Sequence, residues 1–176
     1  PSSKEQVIQS LDGGVLTTLD VKEGDIVQKG QVLAQIDPTR FESQVGESQT
    51  KLIATKASAA RLEAEVNGTS IKFPADVLMM PNLVREETAL YTSRRANLDE
   101  SITGLKHALS LVQNELQMTQ PLVAKGAASE VEVLRLKREI NNFENQINDK
   151  RNDYYVKSRE ELARANADIQ SLQQVV

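Results

Sequence analysis

The chain has 176 residues, a net charge of −4, no cysteine, no tryptophan and only 3% aromatic residues. A compact core of this size usually contains more large rings, whereas this composition suits long helices with a narrow apolar seam. The lack of cysteine excludes disulfides and thiolate chemistry, and the lack of a basic block disfavours nucleic-acid binding. No apolar run approaches the ~20 residues that cross a bilayer.

Residues 7 to 36 show the pattern of short β-strands. Apolar or β-branched side chains recur at every second position, as in a strand with two different faces, at Val15, Thr17, Leu19, Val21, and again at Val32, Ala34, Ile36. Turn signals separate these runs, at Asp12-Gly13-Gly14, Glu23-Gly24-Asp25 and Lys29-Gly30. We therefore predict a β module over residues 1–37.

A first helix is predicted over residues 38–66. Asp37 is placed to cap it, Pro38 suits the first helical position, and Thr39 with Glu42 has capping-box spacing. Its seam contains small and polar residues and is therefore weak, at Phe41, Val45, Ser48, Leu52, Thr55, Ala59, Leu62, Val66. Two prolines and a glycine in residues 67–81 predict a broken connection.

Residues 82–176 are predicted to form a coiled-coil hairpin. Apolar residues with heptad spacing extend from Tyr91 to Leu116 and from Leu136 to the last residue, with a one-residue slip between Tyr154 and Leu162. The pattern stops at Pro121, so we predict a turn over residues 120–128. Gly126 is the expected reversal point, and Ser129 with Glu132 forms a capping box for the returning helix. Each arm would reach ~55 Å.

No catalytic, cofactor or metal site is predicted. His107, the one histidine, lies off the apolar seam and is interpreted as a solvated helix residue. Glu86-Glu87 and Glu160-Glu161 are expected to face solvent. The fold class is therefore mainly α, a long antiparallel helical hairpin preceded by a small β module, and the interpretation is a structural connector rather than an enzyme.

Residues 9–37, QSLDGGVLTTLDVKEGDIVQKGQVLAQID, resemble the first half of a lipoyl or biotinyl domain. Gly24, Asp25, Lys29 and Gly30 occupy the turn positions of that motif. A carrier domain would continue into a hairpin with a modifiable lysine, whereas here helix follows directly. We therefore expect no covalent cofactor.

A lipoyl half interrupted by a helical hairpin resembles the periplasmic adaptors, or membrane fusion proteins, of bacterial export. Within that family the chain is most similar to the hemolysin D-type adaptors of type I secretion. The features that carry this resemblance are VIQSLDGGVL, IDPTRFESQ, the broken segment GTSIKFP, and PLVAKGAAS followed by EVEVLRLKRE.

The resemblance implies that the hairpin tip contacts a TolC-type outer-membrane channel. The family's tip pattern is Arg, then Leu four residues later, then Ser or Thr seven later; Leu122 and Ser129 match, and Met118 replaces Arg. Val123, Lys125 and Gly126 complete the expected tip. Two explanations of the missing arginine stay open: a different partner channel, or Lys125 as the source of the charge. Leu122 and Val123 have a second interpretation, as a plug for the end of the coiled coil.

The resemblance also implies a periplasmic location and an inner-membrane anchor before residue 1. A second lipoyl half would follow residue 176, and the assembly would be hexameric. The expected partners are an inner-membrane ABC transporter and a secreted protein substrate. A lone lipoyl half would expose open strand edges, so residues 1–36 are expected to be less ordered than the helices or to pair with a neighbour. The open alternatives are an adaptor of a tripartite drug-efflux pump and a cytoplasmic coiled-coil scaffold.

Overall fold

The computed structural model describes residue 7 and residues 14–174. The elements in chain order are β1 (Leu16–Leu19), β2 (Ala34–Ile36), α1 (Thr39–Asn67), α2 (Ala75–Leu78), α3 (Pro81–Ala124) and α4 (Glu130–Gln173). The mainly α fold class is confirmed. The chain divides into a unit of residues 1–48 and a unit of residues 49–176.

The first unit contains an antiparallel two-stranded sheet. Leu16 pairs with Ile36 and Leu19 pairs with Ala34, and a register irregularity lies between Leu16 and Thr18. The pairing continues beyond the strands, where the Asp20 N–H donates to the Leu33 carbonyl at 2.9 Å. The two predicted runs of alternating residues thus pair with each other. The predicted turn at residues 12–14 lies largely outside the described residues.

Two tight turns of the same construction connect β1 to β2. In the first, the Asp25 N–H donates to the Lys22 carbonyl, and the Asp25 carboxylate accepts the Lys22 N–H at 2.7 Å. Gly24 has a φ of +96°, which suits the third position of a type II turn.

The second turn repeats this pattern at residues 28–31. The Gln31 N–H donates to the Gln28 carbonyl, and the Gln31 side-chain oxygen accepts the Gln28 N–H at 3.0 Å. Gly30 has a φ of +88°, and Lys29 is exposed beside it. The four motif residues named from the sequence therefore form the two turns.

Six apolar side chains of this unit are exposed, namely Val15, Leu16, Leu19, Ile26, Val27 and Val32. A two-stranded sheet has no second layer to cover them, as expected of half a β module. The expectation about the order of residues 1–36 falls partly on positions outside the described residues and stays a prediction.

The start of α1 is capped by Asp37, as predicted. The Asp37 carboxylate accepts both the Thr39 N–H, at 2.9 Å, and the Thr39 hydroxyl, at 2.6 Å. These bonds lower the pKa of Asp37, with the side-chain bond contributing most. The predicted capping box between Thr39 and Glu42 is wrong, because the Thr39 hydroxyl is directed back to Asp37.

The end of α1 is a Schellman-type cap at Gly68, whose φ is +66°. The Thr69 N–H donates to the Ala64 carbonyl at 3.0 Å. The predicted broken connection contains one helical turn, α2. The side chain of Val77 in α2 is buried, and Lys56 in α1 contacts Asp76 at 2.6 Å. This ion pair ties the connection to α1.

Helices α3 and α4 form the predicted antiparallel hairpin. Its seam buries residues from both predicted heptad runs, namely Ile102, Val112, Leu136, Ile147 and Ala165. Where the predicted slip falls, between Tyr154 and Leu162, Ser158 is buried instead of an apolar residue. A polar residue at this depth requires a hydrogen-bond partner.

The second half of α1 packs against the hairpin and is more buried than its weak seam suggested. Ala59 and Leu62 of α1 form an apolar cluster with Ala165 of α4, flanked by Leu162 and Ile169. Ala57, Ala60 and Ala64 of α1 are buried as well. Alanine allows close approach of helices, so the small residues that weaken a coiled-coil seam here allow a three-helix section.

A group of charged and polar side chains, here termed the junction cluster, connects these three helices. It consists of Arg61, Glu65, Glu87, Arg94 and Ser158. Arg61 of α1 contacts Glu65 at 2.7 Å and Glu87 of α3 at 2.5 Å. The Ser158 hydroxyl of α4 donates to Glu65 at 2.8 Å, and Arg94 of α3 lies 3.5 Å from Glu65.

The expectation that Glu86-Glu87 and Glu160-Glu161 face solvent holds for Glu86 and Glu160, which are exposed, and is wrong for Glu87 and Glu161. The Glu87 side chain is only 15% exposed and also accepts the Ser58 hydroxyl at 2.8 Å. Glu161 is partly buried and contacts Arg94 at 2.7 Å. The expectation failed for Glu87 because the heptad pattern of the hairpin shows one neighbouring helix, whereas α1 supplies a second.

Burial by itself would lower the pKa of Arg61. Its hydrogen bonds to Glu87 and Glu65 outweigh that effect and raise the pKa. Among the described residues, every buried side-chain nitrogen or oxygen has a hydrogen-bond partner. Arg61 therefore stays charged between two carboxylates, and removing it leaves both without their main partner.

We predict that Arg61→Ala lowers the free energy of unfolding by about 3–5 kcal/mol, because it leaves buried carboxylates uncompensated. Urea denaturation followed by circular dichroism measures this loss. Arg135→Ala is the control: Arg135 has three ion-pair partners but is 53% exposed, so its loss should cost less than about 1 kcal/mol. Equal losses for the two variants would contradict a buried junction cluster.

Tyr154 lies beside the junction cluster, and burial, followed by the nearby Glu65 carboxylate, raises its pKa from 10.0 to about 12. An unfolded chain releases this proton near pH 10. The fold should therefore lose stability between about pH 10 and pH 12. In Tyr154→Phe the urea midpoint should decrease less steeply across that pH range. Tyr155→Phe retains the Tyr154 hydroxyl and should show the same decrease as the unsubstituted protein. An unchanged slope in Tyr154→Phe would contradict the shift.

Candidate functional site

The turn between α3 and α4 is shorter than predicted. Helix α3 continues through Pro121 to Ala124, so the turn comprises residues 125–129 rather than 120–128. Pro121 cannot donate to the carbonyl of Gln117, but its fixed φ is helical and only one hydrogen bond is lost. A proline so close to the end of a helix does not by itself stop it.

Gly126 ends α3, as predicted, through a Schellman motif. The Gly126 N–H donates to the Val123 carbonyl at 3.0 Å, and the Ala127 N–H donates to the Leu122 carbonyl at 2.9 Å. Gly126 has a φ of +70°, which the motif requires at this position. These bonds satisfy two of the last carbonyls of the helix and fix the direction in which the chain leaves.

Ser129 begins α4 as its N-cap, accepting the Val131 N–H on its hydroxyl at 3.1 Å. The predicted capping box is only half formed, because Glu132 contacts Arg135 at 2.7 Å. Hydrogen bonding from Arg135 lowers the pKa of Glu132. Arg135 also lies 3.6 Å from Glu115 on α3, so it joins the two arms near the turn.

The predicted tip residues separate into packed and exposed side chains. Val123 is half-buried, which fits the interpretation that it closes the end of the coiled coil. Leu122 is 41% exposed and Met118 is 67% exposed. Lys125 is also exposed. The tip therefore presents apolar side chains and one cation to its surroundings.

Further apolar residues near the turn were missed from the sequence. Val131 and Leu134 of α4 are 73% and 53% exposed, and Leu111 of α3 is exposed about two helical turns before Met118. All three are apolar residues outside the heptad seam, and this position in the sequence could have predicted that they are exposed. Exposed apolar side chains grouped at one end of an element are typical of interaction surfaces.

No metal-binding group of three or more His, Asp or Glu side chains is present among the described residues. His107 is exposed on α3. No helix in the described part of the chain is both long and apolar enough to cross a membrane.

Residues 6–136 match the family described as "RND MFP, barrel-sandwich hybrid domain". That match covers the β module, α1, the connection, α3 and the turn. The chain therefore belongs to the membrane fusion protein family. This confirms the family that the lipoyl-like half-module and the hairpin indicated.

Among curated proteins, the chain is 31% identical over 160 residues to the type I secretion system membrane fusion protein PrsE of Rhizobium meliloti (strain 1021). The aligned region covers 75% of this chain and 36% of PrsE, so the chain spans about a third of that relative. The match agrees with the resemblance to type I secretion adaptors drawn from the sequence.

Among solved structures, the fold is similar to the soluble domain of LipC, a membrane fusion protein of a type I secretion system. The TM-score is 0.63 at 18% identity, and the alignment covers 82% of this chain and 91% of LipC. The periplasmic adaptor protein EmrA aligns with a TM-score of 0.37 at 18% identity, over 92% of this chain and 48% of EmrA.

We predict that Gly126→Ala destabilises the chain by about 1–2 kcal/mol, because a Cβ is unfavourable at positive φ. Gly126→Asn should cost less, since Asn tolerates this conformation. Gly46→Ala is the matched control, because Gly46 lies inside α1, where alanine is favoured. Urea denaturation measures all three, and a cost-free Gly126→Ala would contradict the Schellman motif.

Proposed function

We propose that the chain is the hairpin-bearing part of a periplasmic adaptor that links an inner-membrane ABC transporter to a TolC-type outer-membrane channel for protein secretion. The adaptor has a mechanical role and no catalytic one. The full protein would be anchored in the inner membrane and would assemble with copies of itself, as a hexamer, around the secreted protein substrate. Nucleotide hydrolysis would belong to the transporter.

The observation that carries the proposal is the exposed apolar tip at the end of a long two-helix arm. Arg94 of the junction cluster and Ala124 at the end of α3 are 30 residues apart in one helix, which corresponds to about 45 Å. Met118 and Leu122 are exposed near that end without a core of their own. Such an arm spans distance and contacts a partner at its tip.

The tip chemistry suits a helical partner with an apolar surface. Leu122 and Met118 offer apolar contacts, Lys125 offers one positive charge, and the Gly126 and Ser129 caps hold the turn in one conformation. Each contact needs to contribute only ~1 kcal/mol, because a ring of identical tips binds through avidity. Met118, at the position of the family's arginine, makes this tip more apolar.

The sequence leaves two other functions as alternatives. A drug-efflux adaptor uses the same architecture, but the relative PrsE is named for type I secretion and the connection from Gly68 to Pro81 agrees with that subgroup. A cytoplasmic scaffold requires the lipoyl-like motif to be accidental. The two similar turns at Gly24 and Gly30 and the family match both argue that the lipoyl-like motif did not arise by chance.

We expect a cysteine at Lys125 of the full-length protein to crosslink to the outer-membrane channel in living cells. The sequence has no cysteine, so each introduced thiol is the sole reactive thiol of this region. The reagent would be a short bifunctional maleimide, and the product would be identified by mass spectrometry. Export of the substrate is measured in the same cells.

Cysteine at His107 is the matched control, because His107 is exposed on α3 but lies 18 residues before Lys125, about 27 Å along the axis. Crosslinking from Lys125 and not from His107 supports tip docking. If export continues while no position from Met118 to Ser129 crosslinks to the channel, the tip is only a turn and the proposal is wrong.

A further inference from the structure

A cleft lies in the hairpin where α1 ends. The second half of α1 packs against α3 and α4, and at Gly68, whose φ is positive, the chain turns away. Beyond that point the groove remains open as a cleft of about 300 Å³. This is the lower end of the size range of pockets for small ligands. The cleft lies well away from the tip in the sequence and uses none of the tip residues.

Aromatic side chains form part of the wall of this cleft. The protein has three tyrosines, and all of them, Tyr91, Tyr154 and Tyr155, line it. The Tyr91 hydroxyl donates to the Thr69 carbonyl at 2.8 Å and accepts from Arg95 at 2.8 Å. The rings of Tyr154 and Tyr155 meet edge to face, with centroids 5.9 Å apart. The Tyr91 ring is thus held by two hydrogen bonds, and the three rings offer surfaces for another planar group.

The charge of the lining is positive. Arg95, Lys106 and Arg151 line the cleft, against Asp99 and Glu65. Glu65 is already compensated, because its buried carboxylate contacts Arg61 and accepts from Ser158. Within residues 14–174, neither Lys106 nor Arg151 takes part in an ion pair. Two cations are therefore available to an anion that enters the cleft.

We propose that this cleft binds an aromatic carboxylate, a planar ring carrying a neighbouring carboxylate such as a peptide with a C-terminal aromatic residue. The ring would pack against the tyrosines, and the carboxylate would accept hydrogen bonds from Arg151 and Lys106. Arginine is suited to this role because its planar donors match the two oxygens of a carboxylate. The inference does not depend on tip docking, and either can fail alone.

Tyrosine fluorescence of the 176-residue chain tests the proposal directly, because there is no tryptophan and every tyrosine lines the cleft. The probes are N-acetyl-phenylalanine, which carries the carboxylate, and N-acetyl-phenylalaninamide, which does not. We expect a saturable change with the acid and at least about tenfold weaker binding of the amide, since charge-assisted hydrogen bonds are the stronger ones. The tripeptide Gly-Gly-Phe and its C-terminal amide repeat the comparison for a peptide source.

Arg151→Gln should weaken binding of the acid about tenfold, whereas Arg138→Gln should leave it unchanged, since Arg138 is exposed on the same helix outside the cleft. Circular dichroism verifies that both variants are folded, and nuclear magnetic resonance shifts of labelled tyrosines locate the probe. Tighter binding of Gly-Gly-Phe than of N-acetyl-phenylalanine assigns a peptide ligand, and the reverse order assigns a small molecule. Equal binding of acid and amide, or no saturable change with either acid, would overturn the proposal.

Discussion

One buried cation, Arg61, determines how the second unit of this protein is built. Taking a guanidinium out of water is costly, and the cost is offset only where carboxylates stand at hydrogen-bonding distance. One of those carboxylates, Glu65, lies on the same helix, and the other, Glu87, lies on α3. Ser158 of α4 completes the arrangement by donating to Glu65. Sliding α1 by one turn would separate these partners, so the junction cluster selects one register of α1 against the hairpin in a way that alanine packing alone does not.

The position of α1 divides the hairpin into two parts with different properties. Near the junction cluster three helices pack together, and small side chains such as Ala59 and Ala165 bring them close. Beyond Gly68 only α3 and α4 remain, and the groove that α1 vacates becomes the tyrosine-lined cleft. At the far end the Schellman cap at Gly126 closes the arm within a few residues. The end of α1 at Asn67 therefore separates a three-helix section of the hairpin from an open two-helix groove.

Much of this architecture was predictable, because it depends on local or periodic signals. Heptad spacing predicts the α3–α4 hairpin, and glycines predict the turns at Gly24, Gly30 and Gly126, where the structure has positive φ. The burial of charged side chains by contact with α1 could not be predicted from the heptad pattern of α3 and α4. Glu87 has an ordinary surface-charge pattern, and it is drawn inside because Arg61 arrives from a segment 26 residues earlier. Pro121 led to the wrong prediction that the helix stops before it. So near a helix end, a proline costs only one backbone hydrogen bond, and α3 continues to Ala124.

We propose that this hairpin belongs to an adaptor between an ABC transporter and an outer-membrane channel. The most direct measurement is affinity purification of the full-length protein from gently solubilised membranes, with the co-purified proteins identified by mass spectrometry and their stoichiometry by native mass measurement. The account predicts a transporter with nucleotide-binding domains, together with an outer-membrane channel, in stable ratio to the adaptor. Recovery of a proton-driven transporter in place of the ABC transporter, or of cytoplasmic proteins alone, would contradict it.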